Sequence, residues 1–366
     1  MGTHVHGGDI YRHRNVMDFS ANCNPLGTPE GVKKAVRESA EKLANYPQVG
    51  YEPLRKAIGD YEGVRPSQVI CGNGAAELIF SLCRALKPGK ALLPAPTFAE
   101  YQQALESVGC QVEHYFLKEE KGFVLEEDFL TRMTGETDIL FLCNPNNPTG
   151  VLTEREFLLR VLEICREKNI FLAVDECFLD FIEEPEKYTL KEFLDANQNL
   201  FLLKAFTKRY AMAGVRLGYG LCANESLLEN MGAVNQPWNL SVIAQEAGVA
   251  ALGETEYVEA GRRLIFQERT YLKQALKELG LRVYASLANY IFFRGPENLW
   301  KTCLEGGILI RDCSNYPGLQ KGYFRVAVRT HEENEKLVQV LKNVLEKTEE
   351  QEPGNTHLAE DTQTPE

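Results

Sequence analysis

The chain has 366 residues, 44% of them hydrophobic and 25% charged, with a formal net charge of −12. That length can bury a sizeable core spread over more than one domain. The acidic balance argues against nucleic acid or an anionic membrane as a partner, although a pocket's local field can oppose the global sign and admit an anionic substrate.

The first 35 residues are polar around a short apolar patch at Asp18-Phe19-Ser20 and read as an arm. From about 66 to 222, short continuous apolar runs alternate with helical stretches. The strands expected are 68–71, 90–93, 138–143, 170–174, 199–203 and 217–221, with helices at 75–86, 154–168 and 190–196. Continuous apolar runs are the pattern of strands buried on both faces, so the fold class is α/β: a mostly parallel, seven-stranded-type sheet flanked by helices. After about 235 the pattern changes. A long helical region (241–280) precedes strands at 290–293, 308–311 and 324–328 and a helix at 332–347, which predicts a smaller α+β domain. The expected division is an arm (1–35) joining the small domain, a large domain (36–235), a small domain (236–347) and a disordered acidic tail (348–366). No stretch of the sequence reads as a signal peptide or as an 18-residue apolar run, and cytoplasmic residence is expected. Ten cysteines without a CxxC pair, several in apolar runs such as FLCN and SLCR, read as buried reduced thiols rather than zinc ligands or disulfides.

Four segments fall at the ends of predicted strands, where open α/β sheets bind ligands. Cys71-Gly72-Asn73-Gly74-Ala75-Ala76-Glu77 is a glycine turn opening a helix, a place for a phosphate or simply for tight packing. Asn144-Pro145-Asn146-Asn147-Pro148-Thr149-Gly150 carries more Pro and Asn than a turn requires. Val174-Asp175-Glu176 ends a strand on paired carboxylates: a metal ligand, a general base or the partner of a cationic ring. No histidine-rich neighbour supports a metal. Lys208, alone after a strand, would read as a solvated charge, but Gly214-Val215-Arg216-Leu217-Gly218 follows it closely.

The order and spacing of these segments, Asn147, then Asp175 28 residues on, Lys208 33 further and Arg216 8 further, resemble the fold-type I pyridoxal 5′-phosphate (PLP) enzymes of the class I/II aminotransferase superfamily. The resemblance spans the chain to about residue 347. It implies that Lys208 carries the cofactor as a Schiff base and moves protons at the substrate's Cα. Asp175 would keep the pyridine nitrogen protonated so that the ring withdraws electrons, and Asn147 would bond the ring's phenolic oxygen. Arg216, Thr207 and the turn Gly74-Ala75-Ala76 would hold the phosphate, while Phe98 would stack on the ring. Tyr46, in Asn45-Tyr46-Pro47, would reach the phosphate of a neighbouring subunit, making the active unit a homodimer. Arg325 would clamp a substrate carboxylate. Two positions depart from the common pattern. Phe178 stands where relatives often have Tyr, and Ala205 where they often have Ser, which removes one phenol and one phosphate contact.

Longer segments are similar to the threonine-phosphate decarboxylase branch: His6-Gly7-Gly8, Asp18 through Gly27, Gln236-Pro237-Trp238-Asn239 and Ile310 through Gly318. They imply a phosphorylated amino acid held by His6, the Gly7 backbone, Asn22, Asn147, Arg311 and Arg325. Taken alone, His6 reads equally as a residue of an unstructured terminus. The activity implied is decarboxylation of O-phospho-L-threonine to (R)-1-aminopropan-2-yl phosphate, as in cobalamin side-chain synthesis. An aminotransferase acting on histidinol phosphate and 2-oxoglutarate is the alternative, and a non-catalytic PLP-binding protein the third. The same residues serve decarboxylation and transamination, so the motifs do not separate them. Neither do they separate phosphothreonine from phosphoserine, which differ by one methyl group.

Overall fold

The buried apolar runs pair into a seven-stranded sheet. The structure, a computed structural model, describes residues 6–351. In chain order β1 is Met17–Asp18, β2 Val69–Gly72, β3 Lys90–Ala95, β4 Gln111–Phe116, β5 Ile139–Cys143, β6 Phe171–Asp175, β7 Leu200–Ala205 and β8 Gly218–Leu221. The large sheet runs β2-β8-β7-β6-β5-β3-β4. Strands β4, β3, β5, β6 and β7 pair in parallel, and β8 is antiparallel to both β7 and β2. Every residue of β5, β6 and β7 is buried, because helices cover both faces. One of them, Arg155–Glu167, spaces Leu158, Val161, Leu162 and Cys165 along its inner face. Each such large side chain contributes roughly 1.5–3 kcal/mol by burial.

β4 has no counterpart among the expected strands. Its sequence, QVEHYF, buries only Tyr115 fully, as an edge strand does, so no continuous apolar run marks it. The helix expected at 190–196 is a single 3-10 turn, Lys191–Phe193; Leu190 and Leu194 are buried in the core and Phe193 packs against it. The long helical region is two helices, Val242–Leu252 and Thr255–Glu278, interrupted at Gly253-Glu254.

The C-terminal part adds β9 (Arg282–Val283), β10 (Tyr290–Arg294), β11 (Ile308–Leu309), β12 (Arg311–Asp312) and β13 (Tyr323–Ala327). β12-β13-β10-β9 form an antiparallel sheet, while β11 pairs in parallel with β1 of the arm. The single strand expected at 308–311 therefore divides at Ile310, where the chain changes partners. The arm is stitched to this sheet by Ala327 N–H donating to the Phe19 carbonyl at 2.8 Å and Arg329 donating to the Asp18 carbonyl at 3.0 Å. Helix Val242–Leu252 packs instead on the helices Glu30–Ser39 and Glu52–Glu62. The last helix continues to Gln351, so the expected tail starts at least four residues late; the remainder of that expectation, 352–366, lies outside the described residues. Among the described residues no helix is long and apolar enough to cross a membrane.

Candidate active site

The C-terminal ends of β5, β6 and β7, the turn after β2, the arm and the small sheet enclose a cavity of about 320 Å³. Asp175 is the last residue of β6. The Cys177 N–H donates to its Oδ1 at 2.9 Å and the Tyr101 hydroxyl to its Oδ2 at 2.6 Å. Burial lifts the Asp175 carboxyl above the usual carboxylate range, opposed by these hydrogen bonds and by the charge of Lys208. Its neighbour Glu176 does not share the cavity. The strand's alternation turns Glu176 to a buried ionic cluster, where it meets Lys204 at 3.1 Å and the Thr189 hydroxyl at 2.9 Å. The paired carboxylates of the sequence are thus separated by the pleat.

Lys208 lies in the one-turn helix Phe206–Arg209 that follows β7. Its Nζ is 5.9 Å from the Phe178 ring centroid, and its carbonyl accepts the Asn24 N–H at 2.9 Å. Asn147 is buried after β5, and its Oδ1 accepts a short hydrogen bond from Arg325. Arg325, on β13, also donates to the Ser20 carbonyl at 3.0 Å and lies over the Tyr290 ring at 5.2 Å. Arg311, on β12, donates to the Asp312 carbonyl and to Asn315 Oδ1 at 2.7 and 2.8 Å, over the Tyr316 ring. His6 Nδ1 stands 3.3 Å from Glu100 Oε1.

At the phosphate-type corner, helix Ala75–Leu86 opens from Gly74, whose φ of 81° favours glycine. A Cβ on Gly74 would overlap the Arg216 guanidinium, and one on Gly218 would lie 2.5 Å from the Ala75 nitrogen. Arg216 itself is held in the left-handed region at φ 59°. The backbone therefore brings a helix N-terminus and a guanidinium together, with no side chain between them.

The structure brings His6, Gly7, Asn22, Ala75, Ala76, Phe98, Asn147, Asp175, Thr207, Lys208, Arg216, Arg311 and Arg325 to the cavity wall. Gly74 stands just behind it, at the start of the helix. Tyr46 is not in this wall: it is 80% exposed and stacks on Trp238 with centroids 4.6 Å apart. Sequence reasoning overlooked Tyr101, Tyr290 and Tyr316. Tyr101 and Tyr290 are remote in sequence from Asp175 and Arg325, and no spacing links them; Tyr316 lies close to Arg311 in sequence, inside a segment that was read only as a family likeness.

The set suits a flat phosphorylated pyridine. A buried carboxylate awaits a cationic nitrogen, an amine stands beside it, and a side-chain-free helix start with an arginine suits a phosphate. The comparisons agree. Residues 14–341 match the family model for aminotransferase class I and II. The chain is 38% identical to a threonine-phosphate decarboxylase of Salmonella typhimurium, over 93% of this chain and 96% of that protein. Among solved structures it is similar to the histidinol-phosphate aminotransferase of Clostridium acetobutylicum (TM-score 0.84, 31% identity, covering 90% and 99% of the two chains). It is also similar to the L-threonine-O-3-phosphate decarboxylase of Porphyromonas gingivalis (TM-score 0.79, 25% identity, covering 90% and 99%). A carboxylate, a lysine and a phosphate corner converging on one cavity, in a chain matched over nearly its whole length, make this protein a member of the aminotransferase class I and II family and a PLP-dependent enzyme.

Proposed function

We propose that the enzyme decarboxylates O-phospho-L-threonine to (R)-1-aminopropan-2-yl phosphate. The observation that carries this reading is one cavity holding two buried guanidiniums, Arg311 and Arg325, with His6 at its edge. That is provision for two anionic groups on one small substrate, a carboxylate and a phosphate. The relatives named for this reaction add to it.

PLP bound in the site supplies an electron sink conjugated to the substrate's Cα. In this reading Lys208 holds it covalently, Asp175 keeps its ring nitrogen protonated, and Phe98 covers one face. Asn147, whose Oδ1 is taken by Arg325, offers its Nδ2–H to the phenolic oxygen. Ala75, Ala76, Thr207 and Arg216 bind the cofactor phosphate. Arg325 takes the substrate carboxylate, and Arg311 with His6, the Gly7 N–H and Asn22 takes the substrate phosphate. When the bond from Cα to the carboxylate carbon breaks and CO2 departs, the electron pair stays at Cα. Lys208, released once the substrate's own amine takes its place, would then deliver a proton to that carbon. Transamination would instead begin with Lys208 removing the Cα proton, so the outcome rests on which Cα bond the cationic set holds across the ring.

The reading includes a homodimer in which Tyr46 reaches the partner's cofactor phosphate. The exposed Tyr46, stacked on the exposed Trp238, supports it, and sedimentation as single chains would overturn it. Cytoplasmic residence agrees with ten cysteines that are all free. The deciding assay supplies the purified holoenzyme with phosphothreonine, and separately with histidinol phosphate plus 2-oxoglutarate, while CO2 and glutamate are measured. CO2 from phosphothreonine is expected. Glutamate without CO2 would replace the decarboxylase with the aminotransferase, which the 31% identity to the Clostridium structure favours as the second reading. Neither product would leave a PLP-binding protein.

A further inference from the structure

Tyr101 belongs to helix Ala99–Glu106, directly after the loop that carries Phe98, and its side chain is wholly buried. It is not part of the cavity wall. Its ring stacks on Phe141 of β5, centroids 5.0 Å apart and planes 11° from parallel, and meets the Phe98 ring edge-on at 5.5 Å. Its hydroxyl donates to Asp175 Oδ2 at 2.6 Å, with the Cys143 thiol as its other polar neighbour. The other oxygen, Oδ1, accepts from the Cys177 N–H. A phenol inside an apolar core needs a partner, yet a buried carboxylate is an expensive one. Burial opposes ionisation of both groups, so the pair sits here at a cost that packing alone does not explain.

We propose that Tyr101 is a positioning residue that acts through Asp175 to keep the shared proton on the cofactor's ring nitrogen. The inference rests on the assignment of Asp175 to that nitrogen. A proton between a carboxylate and a pyridine resides on the more basic partner. A hydroxyl donated to the carboxylate lowers the basicity of the carboxylate directly and that of the more distant nitrogen much less. With Tyr101 in place the balance therefore lies toward a protonated ring and an ionised Asp175, the arrangement in which the ring withdraws electrons from Cα. The two donors also fix the rotation of the carboxyl group, one per oxygen. Without the phenol, Oδ2 gains basicity and draws the proton toward itself.

The test is Tyr101→Phe, which keeps the ring and its stacking on Phe141. Holoenzyme is loaded with ring-15N-labelled PLP, and the nitrogen's chemical shift is read by NMR beside kcat and KM. The expected result is a 15N shift displaced toward the neutral-pyridine value, with kcat lower on the order of tenfold, the size of one hydrogen bond to a charged group. KM should stay within about twofold, because a group acting only in the transition state leaves ground-state binding alone. Asp175→Asn combined with Tyr101→Phe should then behave as Asp175→Asn alone. An unchanged 15N shift in Tyr101→Phe, whatever happens to activity or melting temperature, overturns the inference and leaves the rest of the site standing. So does an additional loss in the double variant. A wild-type protein that takes up the label with no Asp175-dependent shift overturns the assignment of Asp175 and this inference with it.

Discussion

Lys208 begins as an unremarkable cation at the end of a strand, and three distant residues give it a task. It faces Phe178 and lends its charge to Asp175. Lys208→Ala is expected to remove the covalent cofactor band: borohydride reduction and peptide mapping should find PLP on the wild-type Lys208 peptide and on no peptide of the variant. A second lysine labelled in the variant would mean that the anchor is elsewhere. Asp175, Lys208 and Arg216 were legible because they follow strand ends at separations that resemble a family pattern. Tyr101 was not legible, because its partner is 74 residues away and only the packing of helix Ala99–Glu106 against β5 and β6 joins them. Glu176 read only as the neighbour of Asp175 in a pair of carboxylates, and the pleat assigns it to the opposite face.

At the scale of elements, the strands that carry the site are held from behind. Lys204, on β7, meets Glu176, the residue after β6, at 3.1 Å and Glu62 at 3.7 Å, and Tyr219 of β8 donates to Glu62. Burial alone would raise the Glu62 carboxyl, but Lys204, Arg209 and Lys191 outweigh it and hold it down at about 2. A carboxyl depressed in the folded state contributes stability that is fully present above its unfolded value and lost as pH falls through the folded one. The acid limb of a denaturation profile should therefore fall between about pH 4.5 and 2. Lys204→Met strands two buried carboxylates and should cost about 3–5 kcal/mol in urea unfolding, and it should move the acid limb to higher pH. A midpoint unchanged from wild type would show that the cluster is energetically neutral. At the phosphate corner, Gly218→Ala places a Cβ against the Ala75 nitrogen; displacing that amide should weaken PLP binding by about tenfold, or 1.4 kcal/mol, read by fluorescence titration of the apoenzyme. The parallel strands were legible as apolar runs buried on both sides. The edge strand β4 was not, because only Tyr115 of its residues is fully buried, and neither was the reversal of β8, since a strand's direction leaves no mark in its composition.

Over the whole molecule, two sheets of different size meet at the site, and each brings part of its wall. The large sheet carries Asp175 and Lys208, and the small one Arg311 and Arg325. The arm closes the remaining side through β1 and the contacts of Phe19 and Ser20. The strands of the small sheet all follow residue 235, where the pattern of the sequence changes. The course of the arm was harder to foresee, because its polar sequence gives no periodicity to follow. The chain bears a net charge of −12, yet the wall of this cavity holds two guanidiniums, Arg311 and Arg325, that are each only 5% accessible. To an approaching dianion this is a repulsive body with an attractive floor, and the two act over different ranges. Ions screen the outer field beyond about 10 Å at 0.1 M but reach the recessed cations poorly. Moderate salt of a weakly binding anion should therefore quicken substrate capture where a protein with a basic rim would be slowed. Stopped-flow association rates between 10 and about 100 mM salt would show it, and a decreasing rate would place the steering charge at the mouth instead. Encounter with this enzyme is then selected by the depth of its positive charge, so that an anion must already fit the opening before it is drawn in.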